Sequence, residues 1–181
     1  MEPTKRHHII TPLPECEPEI GRMLWEMEDM RRRTLRSIEN MPPEALDALP
    51  EGATNTAGTL LYHIAEVEAS WLYEDILEQP LPPDLAALFP FDHRDEQGFL
   101  ARVRGFDLDS YLQRLEMVRR RLIAEYKAMS LDDFRKVHAQ SGPTWSYDVT
   151  AEWALHHLMQ HEAEHRGHIQ MLLDAFKEGV K

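Results

Sequence analysis

The residues best suited to chemistry cluster near the C-terminus. The run His156-His157-Leu158-Met159-Gln160-His161-Glu162-Ala163-Glu164-His165-Arg166-Gly167-His168 holds half of the ten histidines of the chain. His161 and His165 stand four residues apart, and His157 precedes them by the same step. On a helix that spacing stacks the side chains on one face, roughly 6 Å apart along the axis. Two imidazoles so placed can hold one cation from the same side. A solvated, His-rich face has the same pattern, so a third ligand from elsewhere must separate the two readings. His63 offers one, in Leu61-Tyr62-His63-Ile64-Ala65-Glu66-Val67. It sits with Leu60, Ile64, Val67 and Trp71 at the edge of an apolar helix face, which turns it toward the interior. Three neutral imidazoles with open positions form the layout of a catalytic metal site, whereas a closed structural site more often uses cysteines. Imidazole suits zinc, nickel, iron or copper alike. His157 could substitute for His165 in a shifted register. His156, His168, His138, His93, His7 and His8 are not expected to be ligands.

His161-Glu162-Ala163-Glu164-His165 also fits H-E-x-x-H, the zincin pattern in which the glutamate is the general base. The extended metzincin pattern fails, because His168 comes too early and no histidine follows it. No strand that could flank such a helix is evident, so a protease is set aside. Two carboxylates are carried forward as catalytic candidates: Glu162 as a base, and Glu66, one turn after His63, as a partner that orients a ligand imidazole. For both, a solvated surface glutamate is the simpler reading. A cation held by three neutral histidines keeps its full charge and lowers the pKa of a water or thiol, giving a nucleophile at ordinary pH. Trp145 and Tyr147 fit a pocket mouth or plain packing equally well, while Trp71 and Trp153 read as core.

Four amphipathic stretches must position these groups. The first runs from about Pro18 to Asn40 and is stopped by Pro42 and Pro43. The second starts near Thr56, an expected N-cap, and ends before Pro80. A Pro-rich, aromatic linker, Gln79 to Phe106, follows, and connections of this length usually carry function or cross the end of a bundle. The third starts near Asp107 or Asp109. Ser130 and Asp133 read as a capping box on a short helix, and Gly142-Pro143 marks a loop. The fourth starts between Ser146 and Thr150 and runs to about Lys177. Four helices with one long crossover predict an all-α four-helix bundle, a fold that often builds metal sites from facing helices.

The 181 residues suit one domain spanning 1–181, and 43 % hydrophobic content is enough for a core. The net charge of −12 argues against nucleic acid or an anionic membrane as partner. No run reaches transmembrane length and no secretory leader is evident, so a cytoplasmic protein is expected. The single cysteine, Cys16, lies between two glutamates that disfavour a thiolate. Arg31 to Arg33 and Arg119 to Arg121 are expected to be solvated or to contact another subunit.

With these residues in view, the chain resembles the DinB/YfiT-like superfamily of metal-dependent enzymes. The resemblance is carried by Gly58-Thr59-Leu60-Leu61-Tyr62-His63-Ile64-Ala65-Glu66 and by His157 to Ile169, where His161 and His165 match an H-x-x-x-H-R-G element and His63 the upstream histidine. It implies an up-down-down-up bundle with the long crossover between the second and third helices. It also implies a divalent ion, nickel or zinc, on His63, His161 and His165, and a homodimer. Relatives that use low-molecular-weight thiols imply a small-molecule substrate and such a thiol, and together with the metal chemistry above the expectation is an S-transferase or a hydrolase. A metal-binding stress-response bundle without catalysis is the alternative. His168 stands where relatives often have glutamine.

Overall fold

The computed structural model describes residues 8–179 of the chain, so His7 lies outside the described residues. Its helices are α1 (Pro18–Ile38), α2 (Ala57–Ser70), α3 (Pro83–Ala86), α4 (Leu108–Lys127), α5 (Leu131–Arg135) and α6 (Ala151–Gly179). A proline in the first turn starts α1. Thr56 caps α2 through its hydroxyl, which accepts from Thr59 N at 3.1 Å. Asp107 caps α4 by accepting from Ser110 N at 2.9 Å, and Ser130 with Asp133 forms the expected capping box on α5.

The four long helices form an up-down-down-up bundle, and cross-helix contacts fix each direction. Arg119 of α4 reaches the Met27 carbonyl, while Arg31 of α1 reaches the Leu115 carbonyl, so these helices run antiparallel. Tyr111 lies against Gly58, and Arg119 against Glu68, so α2 and α4 run parallel. That parallel pair is what requires the long crossover between them. At Gly58 a Cβ would stand 2.6 Å from the Tyr111 hydroxyl, so the close approach of α2 to α4 depends on a glycine there.

The centre of the bundle is polar at one level. Arg31, Glu68, Arg119 and Glu162, one from each long helix, are all nearly fully buried. Arg31 Nε donates to Glu162 at 2.9 Å and its Nη2 to Glu68 at 2.9 Å. Arg119 Nε donates to Glu68 at 2.7 Å and its Nη2 to Glu162 at 3.0 Å. Arg31 and Arg119 are therefore neither solvated nor at a subunit surface, contrary to the expectation from their basic runs. The remaining arginines of those runs do face outward, with Arg33 on Asp29 at 2.7 Å and Arg121 on Asp84 at 2.9 Å. Apolar clusters lie on either side of this level, one around Leu24, Leu72, Leu122 and Leu155, the other around Leu61, Ile64, Leu115 and Ile169.

Two further elements are not expected from the sequence. After Ser70 the backbone ladder of α2 widens into a π turn, Trp71–Ile76, in which Leu77 N donates to Leu72 O at 3.0 Å. A hairpin of β1 (His138–Ser141) and β2 (Ser146–Val149) precedes α6, pairing His138 with Val149 and Ser141 with Ser146. Among the described residues no helix is long and apolar enough to cross a membrane.

Arg119→Met should cost about 3–5 kcal/mol of stability in urea melts, because it leaves two buried carboxylates sharing the single guanidinium of Arg31. A loss below about 1 kcal/mol would show that water reaches and solvates the pair.

Candidate metal centre

The same rotation of α6 that buries Glu162 places the histidines. With about 100° per residue, His161 and His165 fall about 100° and 60° to one side of Glu162. That side faces α2, where His63 lies buried. The three imidazoles meet through their Nε2 atoms: His161 to His63 at 3.2 Å and His165 to His161 at 3.0 Å. One nitrogen from each of the three rings lies within 4.8 Å of the others.

These distances are informative. An ion held by nitrogens at ~2.0–2.1 Å sets them about 3.0 Å apart on an octahedral face and about 3.3 Å apart in a tetrahedron. Burial, reinforced by the neighbouring imidazoles, pushes His161 down to about 3 and His165 down to about 4, so both are neutral at pH 7. Neutral rings meeting nitrogen to nitrogen have at most one proton per contact to share, whereas a cation satisfies all three lone pairs together. The buried Nδ1 atoms of His63 and His165 have no hydrogen-bond partner among the described residues. Three convergent imidazole nitrogens without cysteine are a donor set that fits a divalent ion.

The triad forms one wall of a cavity of about 410 Å³. Val67, Trp71 and His157 also line it, and the crossover adds His93, Arg94 and Leu100. The π turn begins at Trp71, whose ring lies 5.0 Å from that of His157. His157 stacks on Trp153 with rings 5.1 Å apart and nearly parallel. It thus lines the cavity one turn from the triad and does not join the convergent nitrogens. Trp153 is 48 % exposed, and Trp71 is only partly buried, so the expectation that both are core residues is corrected. The hairpin brings Tyr147 to 6.1 Å from Trp71, and its hydroxyl donates to Asp75 at 2.6 Å. Burial first, then that bond to Asp75, pushes the Tyr147 phenol up to about 12, so it stays a donor.

The two carboxylate candidates fare differently. Glu162 follows a ligand in sequence but points to the bundle centre, where both its oxygens are engaged by Arg31 and Arg119. Burial would raise its carboxyl, yet the two guanidiniums outweigh that and hold it down to about 2. A carboxylate so held cannot take a proton at the cavity, so the zincin-like role is withdrawn. Glu66 stands at the cavity edge, 4.0 Å from His63 Nδ1 but 2.8 Å from His93 Nδ1. His93 is the residue that sequence reasoning missed. It lies on the crossover, with its ring 5.1 Å from that of His63, and with His63 and Glu66 it makes a second group of close donors. The length of the crossover was the available signal; nothing in it singled out position 93. His168 lies beyond the triad, its ring 5.7 Å from that of His165, at the edge of another cavity of about 420 Å³ beneath residues 50–55. His138 is tied to Glu78 at 2.8 Å, far from this chemistry in sequence and in its contacts.

An up-down-down-up bundle with a histidine triad on facing helices defines a class of helical protein with a site compatible with a divalent metal. Residues 26–169 match the family model of the DinB superfamily, and the chain belongs to that superfamily. It is also similar to the uncharacterized protein YkkA of Bacillus subtilis, with 27 % identity over 127 residues, covering 70 % of this chain and 69 % of that protein.

His63→Ala, His161→Ala and His165→Ala should each weaken binding of nickel or zinc by at least about tenfold in calorimetric titration. His157→Ala and His168→Ala should leave it within a few-fold. Equal losses in all five variants would mean that the surface, not the triad, collects the metal.

Proposed function

We propose that the protein is a metal-dependent enzyme that transfers a low-molecular-weight thiol to a small electrophile, using nickel or zinc on His63, His161 and His165. The observation that carries this reading is the meeting of three imidazole Nε2 atoms on the wall of an open cavity. A divalent ion bound there supplies a Lewis acid that favours the deprotonated form of a nucleophile.

The surroundings favour a thiol over water as that nucleophile. Efficient hydrolysis at such a site is helped by a general base close to the attacking water. None of the residues lining the cavity is a carboxylate; Glu66 at its edge is taken up by His93, and Glu162 is turned inward and ion-paired. A thiol, with an ordinary pKa of about 8.5, needs much less help to ionise than water. His157 and His93 are left to accept or relay a proton at the cavity edge, with Glu66 holding His93 by its Nδ1. Trp71, backed by Trp153, supplies flat apolar surface for the body of a substrate. A cytoplasmic, homodimeric enzyme is part of this reading.

The test is conjugation of small thiols to an electrophile such as monobromobimane, measured above the uncatalysed rate. Activity should disappear with a chelator, return with nickel or zinc, and fall at least about a hundredfold in His63→Ala. Glu162→Gln, if folded, should retain most of it. Metal uptake without any thiol transfer would instead support the non-catalytic bundle, and ester hydrolysis without thiol transfer would support a hydrolase.

A further inference from the structure

The cavity beside the triad carries one cation that the reading above does not use. Arg94, an exposed residue of the crossover, is one of the residues that line the cavity beside the imidazoles. Its Nη1 donates to the Gly98 carbonyl at 2.8 Å, and among the described residues the guanidinium has no carboxylate partner. The remaining N–H groups of the fork are therefore available to a ligand.

The segment that presents Arg94 is built, not trailing. Asp95 Oδ1 accepts from Gln97 N at 3.0 Å and from Phe99 N at 2.9 Å. Asp95 N donates to Phe99 O at 2.8 Å, and Arg94 and Leu100 form a backbone bridge. Both sides of the tip are anchored to α2: Phe91 N donates to the Tyr62 hydroxyl at 3.1 Å, and Val103 N to the Thr59 hydroxyl at 3.2 Å. His93, next to Arg94, is pinned to Glu66.

Charge then selects the ligand. The chain as a whole carries −12, yet the cavity lining contains Arg94 and five histidines and no carboxylate, and Glu66 at its edge is taken up by His93. With a divalent ion on the triad, the cavity is a positive pit in an acidic protein, which concentrates anions and repels cations. The rest of the lining, Val67, Trp71 and Leu100, is apolar. We propose that the substrate class is a small organic acid, with its carboxylate on the Arg94 fork and its reactive end at the triad. Arg94 is thereby a specificity-determining residue. The inference rests on the metal-dependent reading above.

Binding of mercaptoacetate and mercaptopropionate to the cobalt-loaded protein, each beside its primary amide, tests the assignment by calorimetry and by the visible spectrum of the ion. Acid and amide share the sulfur and the chain length and differ in charge. The better-fitting acid should bind about tenfold tighter than its amide. Arg94→Gln should remove that preference while leaving amide affinity and cobalt stoichiometry unchanged, and Arg94→Lys should keep part of it. No preference in the wild-type protein overturns the inference. So does a preference that survives Arg94→Gln, which would place the carboxylate elsewhere, or an equal loss of acid and amide binding, which would mean that the turn had merely collapsed. A protein that takes up no cobalt overturns the three-histidine reading and this inference with it.

Discussion

Four buried charges, one on each long helix, set the geometry on which everything else in the protein depends. Arg31, Glu68, Arg119 and Glu162 saturate one another at the bundle centre. Such a network gives little net stability over a well-packed apolar core, but a wrong pairing strands charge in low dielectric and is strongly disfavoured. It therefore acts on rotation and register more than on total stability. Turning α6 by one residue would pull Glu162 away from both guanidiniums and carry His161 off the face that meets His63. The ion lock and the histidine triad are two faces of a single helix orientation, and adjacent residues, Glu162 and His161, carry one each.

The remaining walls of the site come from irregular structure, as is common where rigid helices supply ligands and loops supply selectivity. The π turn at Trp71 interrupts α2 one turn past Val67, on the cavity side. The hairpin delivers Tyr147 against Trp71. The crossover, required by the parallel course of α2 and α4, passes over the triad and contributes His93 and Arg94. A connection forced by topology is thus also the element that closes the cavity. The division of labour is physical: the helices hold three imidazole nitrogens in place, and the loop adds a cationic and a hydrogen-bonding side chain to the lining of the same cavity.

Much of this was legible in the residues alone. Helical periodicity and capping residues located the long helices to within a few positions, and Thr56, Asp107 and Ser130 cap as their types predict. The i, i+4 pair His161 and His165, with His63 on an apolar edge, pointed to the triad because a helix converts spacing into direction. The direction of Glu162 was not legible. An H-E-x-x-H string fixes where its glutamate lies relative to its histidines, but not which of two neighbouring surfaces is the bundle interior. Arg31 and Arg119 were hidden for a related reason: in a run of three arginines, local composition looks the same whether one is buried or none. The hairpin strands, His-Ala-Gln-Ser and Ser-Tyr-Asp-Val, are short and polar and show no clean alternation, so period-two patterning had nothing to detect. The π turn and the placement of His93 and Arg94 arise from tertiary packing of the crossover, which leaves no periodic trace.

The account stands or falls on an ion at the meeting point of His63, His161 and His165. The most direct measurement is anomalous scattering from crystals of the full chain grown with nickel or zinc, collected on both sides of the absorption edge. The account predicts one strong peak per chain, about 2.0–2.1 Å from the Nε2 atoms of all three residues. A peak centred elsewhere, such as on His93 and Glu66 without His161 and His165, or no peak at the triad under saturating metal, would contradict it.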